Sequence, residues 1–413
     1  MIDRWQWVLR ELGKQLWLRA AAFALLGVLA SLAAIWAAPL IPEDLSVEIG
    51  ARAVDDVLTL IASSMLVVAT FSLSTMVAAY AAADGSTTPR ASRLLIEDGT
   101  AQNALSTFIG AFLFALVGII ALSTGVYGDS GRLVLLGVTV VMVGIVVGTF
   151  VRWIDRLSRL GRIPEIIDRV EAAAAAAMLE RARYPTLGTR DDAPPPAAAI
   201  AVGPDRFGYV CHIDVGALDE LGTRHDGHVH VATPPGSFAE PGRPLAFLTW
   251  EPDDEDRAAL RKAFLVEKRR SFEQDPRFGV VVLSEIASRA LSPGINDPGT
   301  AIDVLGAQVR VLALLVTPAE PEADAPCWQH VHLPRLAPAD LFEDAFVPIA
   351  RDGAGMVEVG IRLQRALRTL GDLDPARFGP LARTHAADAL ARAAAVVPEI
   401  DLARMRAVAP PLA

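Results

Sequence analysis

Between Asp56 and Asp84 the chain carries no charged residue, and the enclosed stretch, Val57–Ala83, reads VLTLIASSMLVVATFSLSTMVAAYAAA. As a helix rising 1.5 Å per residue it would extend about 40 Å, more than the ~30 Å hydrocarbon core of a bilayer. This run is therefore read as a membrane-spanning helix, tilted or protruding. It is also rich in hydroxyls: Thr59, Ser63, Ser64, Thr70, Ser72, Ser74 and Thr75. Ser63, Thr70 and Ser74 fall on one face by the 3.6-residue period. Hydroxyls in a spanning helix bond back to their own carbonyls, join helices, or line a wet path. The third use makes Ser63, Thr70 and Ser74 pore-lining candidates.

The flanking sequence supplies more spans. Residues 1–19 interleave Arg4, Arg10, Lys14 and Arg19 with Trp5, Trp7 and Trp17, the pattern of an amphipathic segment at a membrane surface. Ala20–Leu40 has no charge and is too long for a signal peptide, so it is read as the first span. Spans two to four are expected at about 57–83, 104–124 and 133–151. Basic residues precede span one, Arg90 and Arg93 lie between spans two and three, and Arg152, Arg156, Arg159 and Arg162 follow span four. The other two loops are acidic or nearly neutral. The positive-inside rule then places both termini in the cytoplasm.

Gly144 and Gly148, three residues apart in span four, form a small-xxx-small pattern that lets helices approach closely. They are helix-packing candidates, and with them a homo-oligomer is expected. Spans without ionisable groups are poorly equipped for proton pumping or ion-coupled transport.

The 413 residues exceed one compact domain, and 52% hydrophobic content sits beside a net charge of −10. That combination fits a membrane part joined to an acidic soluble part, and it argues against a nucleic-acid partner. Cys211 and Cys327 are too few for a disulfide framework.

Beyond the spans, residues 153–196 read as a helix and a Pro/Asp/Gly linker. Residues 197–252 read as a small β-rich subdomain, with strands near 197–202, 209–213, 228–232 and 244–250. Residues 253–413 read as mostly helical. Cys211, His212, His225, His228 and His230 cluster in sequence, but their spacing matches no zinc motif, so no metal and no cofactor are expected.

Arg289, Ser292, Asn296, Asp297 and Thr300 surround a helix start, where free N–H groups beside an arginine would bind an anion. They are ligand-binding candidates. The competing reading is a helix–turn–helix corner in which Asp297 is the N-cap and Pro298 fills the first turn. A further reading pairs the carboxylates of Asp275 and Asp297 for catalysis. Walker A, HExxH and GxSxG motifs are missing, so no catalytic residue is assigned and an enzyme is the weaker class.

FSLSTMV at Phe71–Val77, QDPRFG at Gln274–Gly279 and RALSPGINDPGTA at Arg289–Ala301 resemble the membrane proteins grouped as domain-of-unknown-function family 2254 (DUF2254). The resemblance covers nearly the whole chain. It implies bacterial origin and an N-terminal membrane region ahead of a cytoplasmic C-terminal region, with no established activity. Trp153-Ile-Asp-Arg departs from the histidine-containing pattern associated with the family after its last span.

The expected fold is thus a four-span α-helical membrane domain followed by a cytoplasmic α+β domain, in the bacterial inner membrane. The expected function is an oligomeric channel-like or transport protein, gated from the cytoplasmic side and handling an ion or small molecule. The alternative is a membrane-anchored sensor or scaffold whose soluble part binds a ligand or partner. An enzyme centred on the SPGINDP region is the third class.

Overall fold

A computed structural model describes residues 51–411 apart from 97–98, 124–128, 158, 160, 192 and 317–326, together with Ala21, Leu25, Val28 and Leu29. The amphipathic N-terminal segment and most of the first expected span lie outside the described residues. The chain divides into two compact units, residues 1–85 with 92–162, and residues 86–91 with 163–413.

The first unit contains the helices α1 (Ala51–Ser86), α3 (Gly99–Ser123) and α4 (Asp129–Leu157), while α2 (Pro89–Ile96) straddles the division. Among the described residues, three stretches are long and apolar enough to cross a membrane: Val54–Ala83, Gly99–Ser123 and Leu135–Leu157. On α1 the residues turned inward are Val54, Leu58, Ile61, Met65, Ala69, Ser72 and Met76, a regular three-and-four spacing that marks one helical face. They pack with Leu105, Phe108 and Phe114 of α3 and with Leu135 and Trp153 of α4. Gly118 of α3 lets Leu58 come close, since a Cβ there would lie 3.0 Å from Leu58 Cδ1.

The outer faces are as apolar as the inner ones. Leu60, Val67, Phe71 and Val77 on α1 and Val140, Val141, Val147 and Val151 on α4 are exposed. A helix apolar all round suits a hydrocarbon surrounding and not water.

The second unit opens with α5 (Ile163–Arg183), whose Pro164 sits in its first turn. Its β part has two sheets. One has the strand order β1-β8-β4-β6-β2, built from Thr189–Arg190, Trp328–His332, Val229–Val231, Ala246–Leu248 and Ile200–Val202. The other has the order β5-β3-β7, built from Phe238–Ala239, Gly208–Ile213 and Phe264–Glu267. In the larger sheet β8 runs parallel to both β1 and β4, while β6 is antiparallel to β4 and β2. Val229, Val231, Leu248 and Val331 enter a shared core with Leu218 of α6 (Val215–Arg224) and Leu260 of α7 (Asp254–Ala263).

The β part therefore draws on residues well outside 197–252. Phe264–Glu267, which reads as the end of a helix, is strand β7, and part of the expected linker is strand β1.

The remaining helices are α8 (Pro276–Ala290), α9 (Pro298–Ala313), α10 (Pro338–Asp352), α11 (Val357–Leu373), α12 (Phe378–Ala394) and α13 (Glu399–Arg406). Helix α8 packs against α5, α9 and α10. At the α5–α8 crossing Gly279 is required, because a Cβ there would stand 2.4 Å from the Ala174 Cβ.

Candidate functional site

Helix α8 is placed by the QDPRFG run that precedes and opens it. Asp275 is 2% exposed and accepts the Phe278 N–H at 3.1 Å as N-cap, with Pro276 in the first turn. The same carboxylate receives both arms of Arg270, at 2.7 and 2.9 Å. Gln274 pairs like a strand with the Ile213 backbone: its Oε1 accepts the Ile213 N–H at 2.8 Å, and its Nε2 donates to the Ile213 carbonyl at 3.4 Å. Arg277 donates to Asp340 at 2.6 Å and to Asp344 at 2.7 Å on α10. Phe278 is buried. The run is thus a junction tying the small sheet to the helical layer. Arg181 lies close by, with burial pulling its guanidinium down to about 10 against the opposing pull of Asp275.

At the other end of α8 the chain turns through Ser292–Asp297. Ser292 Oγ donates to the Arg289 carbonyl at 2.7 Å, and the Asp297 N–H reaches back to the Ala290 carbonyl at 2.8 Å. Asn296 sits at φ +52°, a left-handed conformation that asparagine tolerates. Asp297 accepts the Thr300 N–H at 3.1 Å and the Thr300 hydroxyl at 2.6 Å, and these bonds hold its carboxyl below the usual range. The helix-corner reading accounts for Ser292, Asn296, Asp297 and Thr300.

The carboxylate pair does not exist. Asp275 and Asp297 flank opposite ends of a 15-residue helix, about 22 Å long at 1.5 Å per residue. Each is fully engaged in capping its own helix.

Between α8 and α10 lies a cleft of about 620 Å³, a size typical of small-molecule sites. Val281, Ser284, Glu285, Ser288 and Arg289 form its α8 wall, and Glu343, Asp344, Val347, Pro348 and Arg351 form its α10 wall. The third wall is Thr88–Arg90, which follows α1 in the chain and belongs to the second unit. Ser284 donates to the Asp344 carbonyl at 2.6 Å and receives Gln308 Nε2 at 3.1 Å, which fixes the floor. Arg90 pairs with Glu285, and that bond raises the Arg90 pKa. Glu285 keeps its second oxygen, Oε2, buried without a hydrogen bond.

Arg351 holds Asp352 through bonds of 2.6 and 2.9 Å, which keeps the Asp352 carboxyl low. The guanidiniums of Arg90, Arg289 and Arg351 thus line the cleft together with the carboxylates of Glu285, Glu343 and Asp344 and the apolar Val281, Val347 and Pro348. Of the five ligand candidates read from sequence, Arg289 alone lines it.

The pore candidates Ser63, Thr70 and Ser74 lie on the exposed face of α1, turned away from the packed interior of their unit. Each hydroxyl donates to a carbonyl of its own helix: Ser63 to Thr59 at 2.9 Å, Thr70 to Leu66 at 2.8 Å and Ser74 to Thr70 at 2.9 Å. Buried hydroxyls among the described residues of these helices include Ser72, Ser106, Thr107 and Thr139. Thr107 and Thr139 donate to carbonyls of their own helices at 2.8 and 2.7 Å, whereas Ser72 and Ser106 have no hydrogen-bond partner. Ser72 was legible in principle, because it falls on the Met65–Ala69–Met76 face. Gly144 and Gly148 face open space, with nothing within 4 Å of a Cβ built on either.

The sequence cluster Cys211, His212, His225, His228 and His230 comes apart. Cys211 is buried, its Sγ 3.1 Å from the Arg269 carbonyl, and burial pushes the thiol up to about 11. His225 stacks on Trp250 and bonds Asp256 at 3.0 Å. His228 and His230 instead join His330 and His332 of β8, a pairing that the repeated His-x-His could have signalled.

A family model described as a predicted membrane protein (DUF2254) matches residues 13–369. Uncharacterised proteins of Mycobacterium bovis and Mycobacterium tuberculosis are each 26% identical over 282 residues, covering 64% of this chain and 53% of theirs. The chain thus spans about half the length of these curated relatives. No solved structure matches it.

Proposed function

We propose that this chain, which belongs to the DUF2254 family of predicted membrane proteins, is a ligand-responsive membrane protein. Its α8–α10 cleft binds a small polar molecule, and the segment Thr88–Arg90 passes the binding event to the spans. The observation that carries this reading is the third wall. A segment that joins two span helices in the chain contributes Arg90 to a cleft of the soluble unit. A ligand that competes for Glu285 loosens Arg90, and one that bridges Arg90 and Arg289 fixes it. Guanidiniums and an unsatisfied carboxylate oxygen together select a ligand with both an anionic group and a hydrogen-bond donor. By the positive-inside rule the cleft faces the cytoplasm of a bacterial inner membrane.

The test is a thermal-shift screen of the full chain in detergent against phosphate, dicarboxylates and amino acids. A compound that raises the melting temperature of the wild type and not of Arg289→Ala or Arg351→Ala supports the cleft. Equal shifts in all three proteins, or no shift with any compound, remove it.

A second reading makes the response a conductance. Outward hydroxyls on α1 and the uncovered Gly144 and Gly148 on α4 are the surfaces that a homo-oligomer would bring together around a path. Ion flux in liposomes that Ser74→Phe abolishes, with assembly intact, supports it. Flux absent from the wild type sinks it.

A further inference from the structure

Helices α5, α9 and α11 line a second pocket, of about 370 Å³, at the lower end of the range for small-molecule sites. It lies wholly within the second unit and shares no residue with the α8–α10 cleft. On α9, Asp303, Gly306 and Arg310 stand at i, i+3 and i+7, so they share one helical face. Asp168 of α5 and Arg362 of α11 complete the polar lining, and Pro164, Ile167 and Ile302 supply the apolar wall.

The two arginines converge with donors to spare. Arg310 commits Nε and Nη2 to the Glu171 carboxylate, each at 2.6 Å, which leaves the hydrogens of Nη1 unused. Arg362 makes no hydrogen bond or ion pair with any described residue. Both unused ends come to Gly306: a Cβ built there would lie 3.3 Å from Arg310 Nη1 and 3.5 Å from Arg362 Nη2. The two nitrogens therefore stand within about 7 Å of each other, a gap that one oxyanion closes through N–H···O bonds of about 2.8 Å. Glycine is a poor residue for the middle of a helix, and here its missing side chain keeps that seat open. Two like charges held this close repel, and a bound anion relieves them.

The carboxylates set the rest of the ligand. Asp168 and Asp303 line the same pocket, and neither bonds or pairs with a described residue. The Glu171 bond raises the Arg310 pKa, and the charges of Asp168 and Asp303 act in the same direction, so both lie within electrostatic reach of the guanidinium. A ligand that is only an anion is repelled by these two acids, and one that is only a cation is repelled by the two arginines. We propose that this pocket binds a small zwitterion, with its phosphate or carboxylate between Arg310 and Arg362 over Gly306 and its ammonium toward Asp168 and Asp303. Methylenes between the two charged ends pack on Ile167 and Ile302. The site is independent of the function proposed for the α8–α10 cleft.

The test is isothermal titration of the full chain in detergent with phosphoethanolamine and with β-alanine, and with inorganic phosphate and ethanolamine as the separate halves. The expected result is saturable binding of at least one zwitterion, about 10-fold or more tighter than either half. Arg362→Gln, which strands no partner, and Gly306→Ala, which fills the seat and suits a helix, should each weaken binding by at least about 10-fold. Arg289→Ala, in the other cleft, should leave it unchanged, which separates this site from that one. Displacement of the bound probe by detergent-solubilised phosphatidylethanolamine assigns a lipid headgroup, and its persistence assigns a free solute; either outcome supports the zwitterion seat. No saturable binding of either zwitterion overturns the proposal. Phosphate binding as tightly as phosphoethanolamine, or wild-type affinity in both Arg362→Gln and Gly306→Ala, overturns it as well.

Discussion

Ser74 and Ser284 are both small hydroxyls on long helices, and they are satisfied in opposite ways. Ser74 donates within its own helix, to the Thr70 carbonyl at 2.9 Å. Ser284 donates across to the Asp344 carbonyl of α10 at 2.6 Å and receives Gln308 of α9. The same contrast runs through the two units. In the spans, Ser63, Ser64, Thr70 and Thr75 also bond back to their own carbonyls, while exposed valines and leucines cover the outside. In the second unit, buried polar side chains such as Asp275 and Gln308 bridge elements. A hydroxyl that finds its partner within its own helix specifies no neighbour. A buried polar group of the second unit offsets its burial by joining two pieces of the fold.

The strongest way to break the contrast is Asp275→Ala. It removes a cap and leaves Arg270 without its carboxylate in a mostly buried position, so the second unit should lose about 3–5 kcal/mol. Denaturant unfolding followed by circular dichroism reads that loss, and a change below 1 kcal/mol would show the junction to be dispensable. Next comes the serine pair itself. Ser284→Ala should cost about 1–3 kcal/mol by leaving one Gln308 Nε2 hydrogen and the buried Asp344 carbonyl without their Ser284 partner, whereas Ser74→Ala should cost less than about 0.6 kcal/mol, since its bond lies within one helix. Equal costs would erase the distinction.

Asp297→Ala should cost about 1 kcal/mol as a lost cap. Its pH dependence has a defined sign. The folded pKa lies below the ordinary value of 3.8, so the stabilisation is present above 3.8 and is lost as pH falls through the lower folded value. Melting temperatures of wild type and variant should therefore converge at strongly acidic pH.

Elements whose signals are local were legible in the sequence. Val57–Ala83 falls within α1, and Asp297–Pro298 opens α9 as its residue types require. Elements fixed by distant partners were not. From sequence Asp275 reads only as half of a carboxylate pair, and it is the bonds from Arg270 and the Phe278 N–H that make it a cap. Phe264–Glu267 continues an apolar stretch after α7, and its strand character comes from pairing with β3. The mostly helical reading of residues 253–413 does not show the break at Gly353 between α10 and α11. The cleft was half visible: Arg289 stood out beside the SPGINDP turn, but Arg90, Glu285 and Arg351 come from three separate segments. The outward aim of Ser63, Thr70 and Ser74 was likewise beyond periodicity, which groups residues on a face without saying which way that face looks.

Strand β8 has a consequence for how the chain comes to be made. It lies between β1 and β4, parallel to both, yet it is encoded at 328–332, long after 189–190 and 229–231. Synthesis runs from the N-terminus, so for the time needed to add roughly a hundred residues, several seconds or more at ~5–20 residues per second, β1 and β4 have open edges. The larger sheet is closed only when that late strand arrives, a non-local step of the kind that slows folding. Interrupting the chain before residue 328 leaves exposed edges open to pairing with other chains.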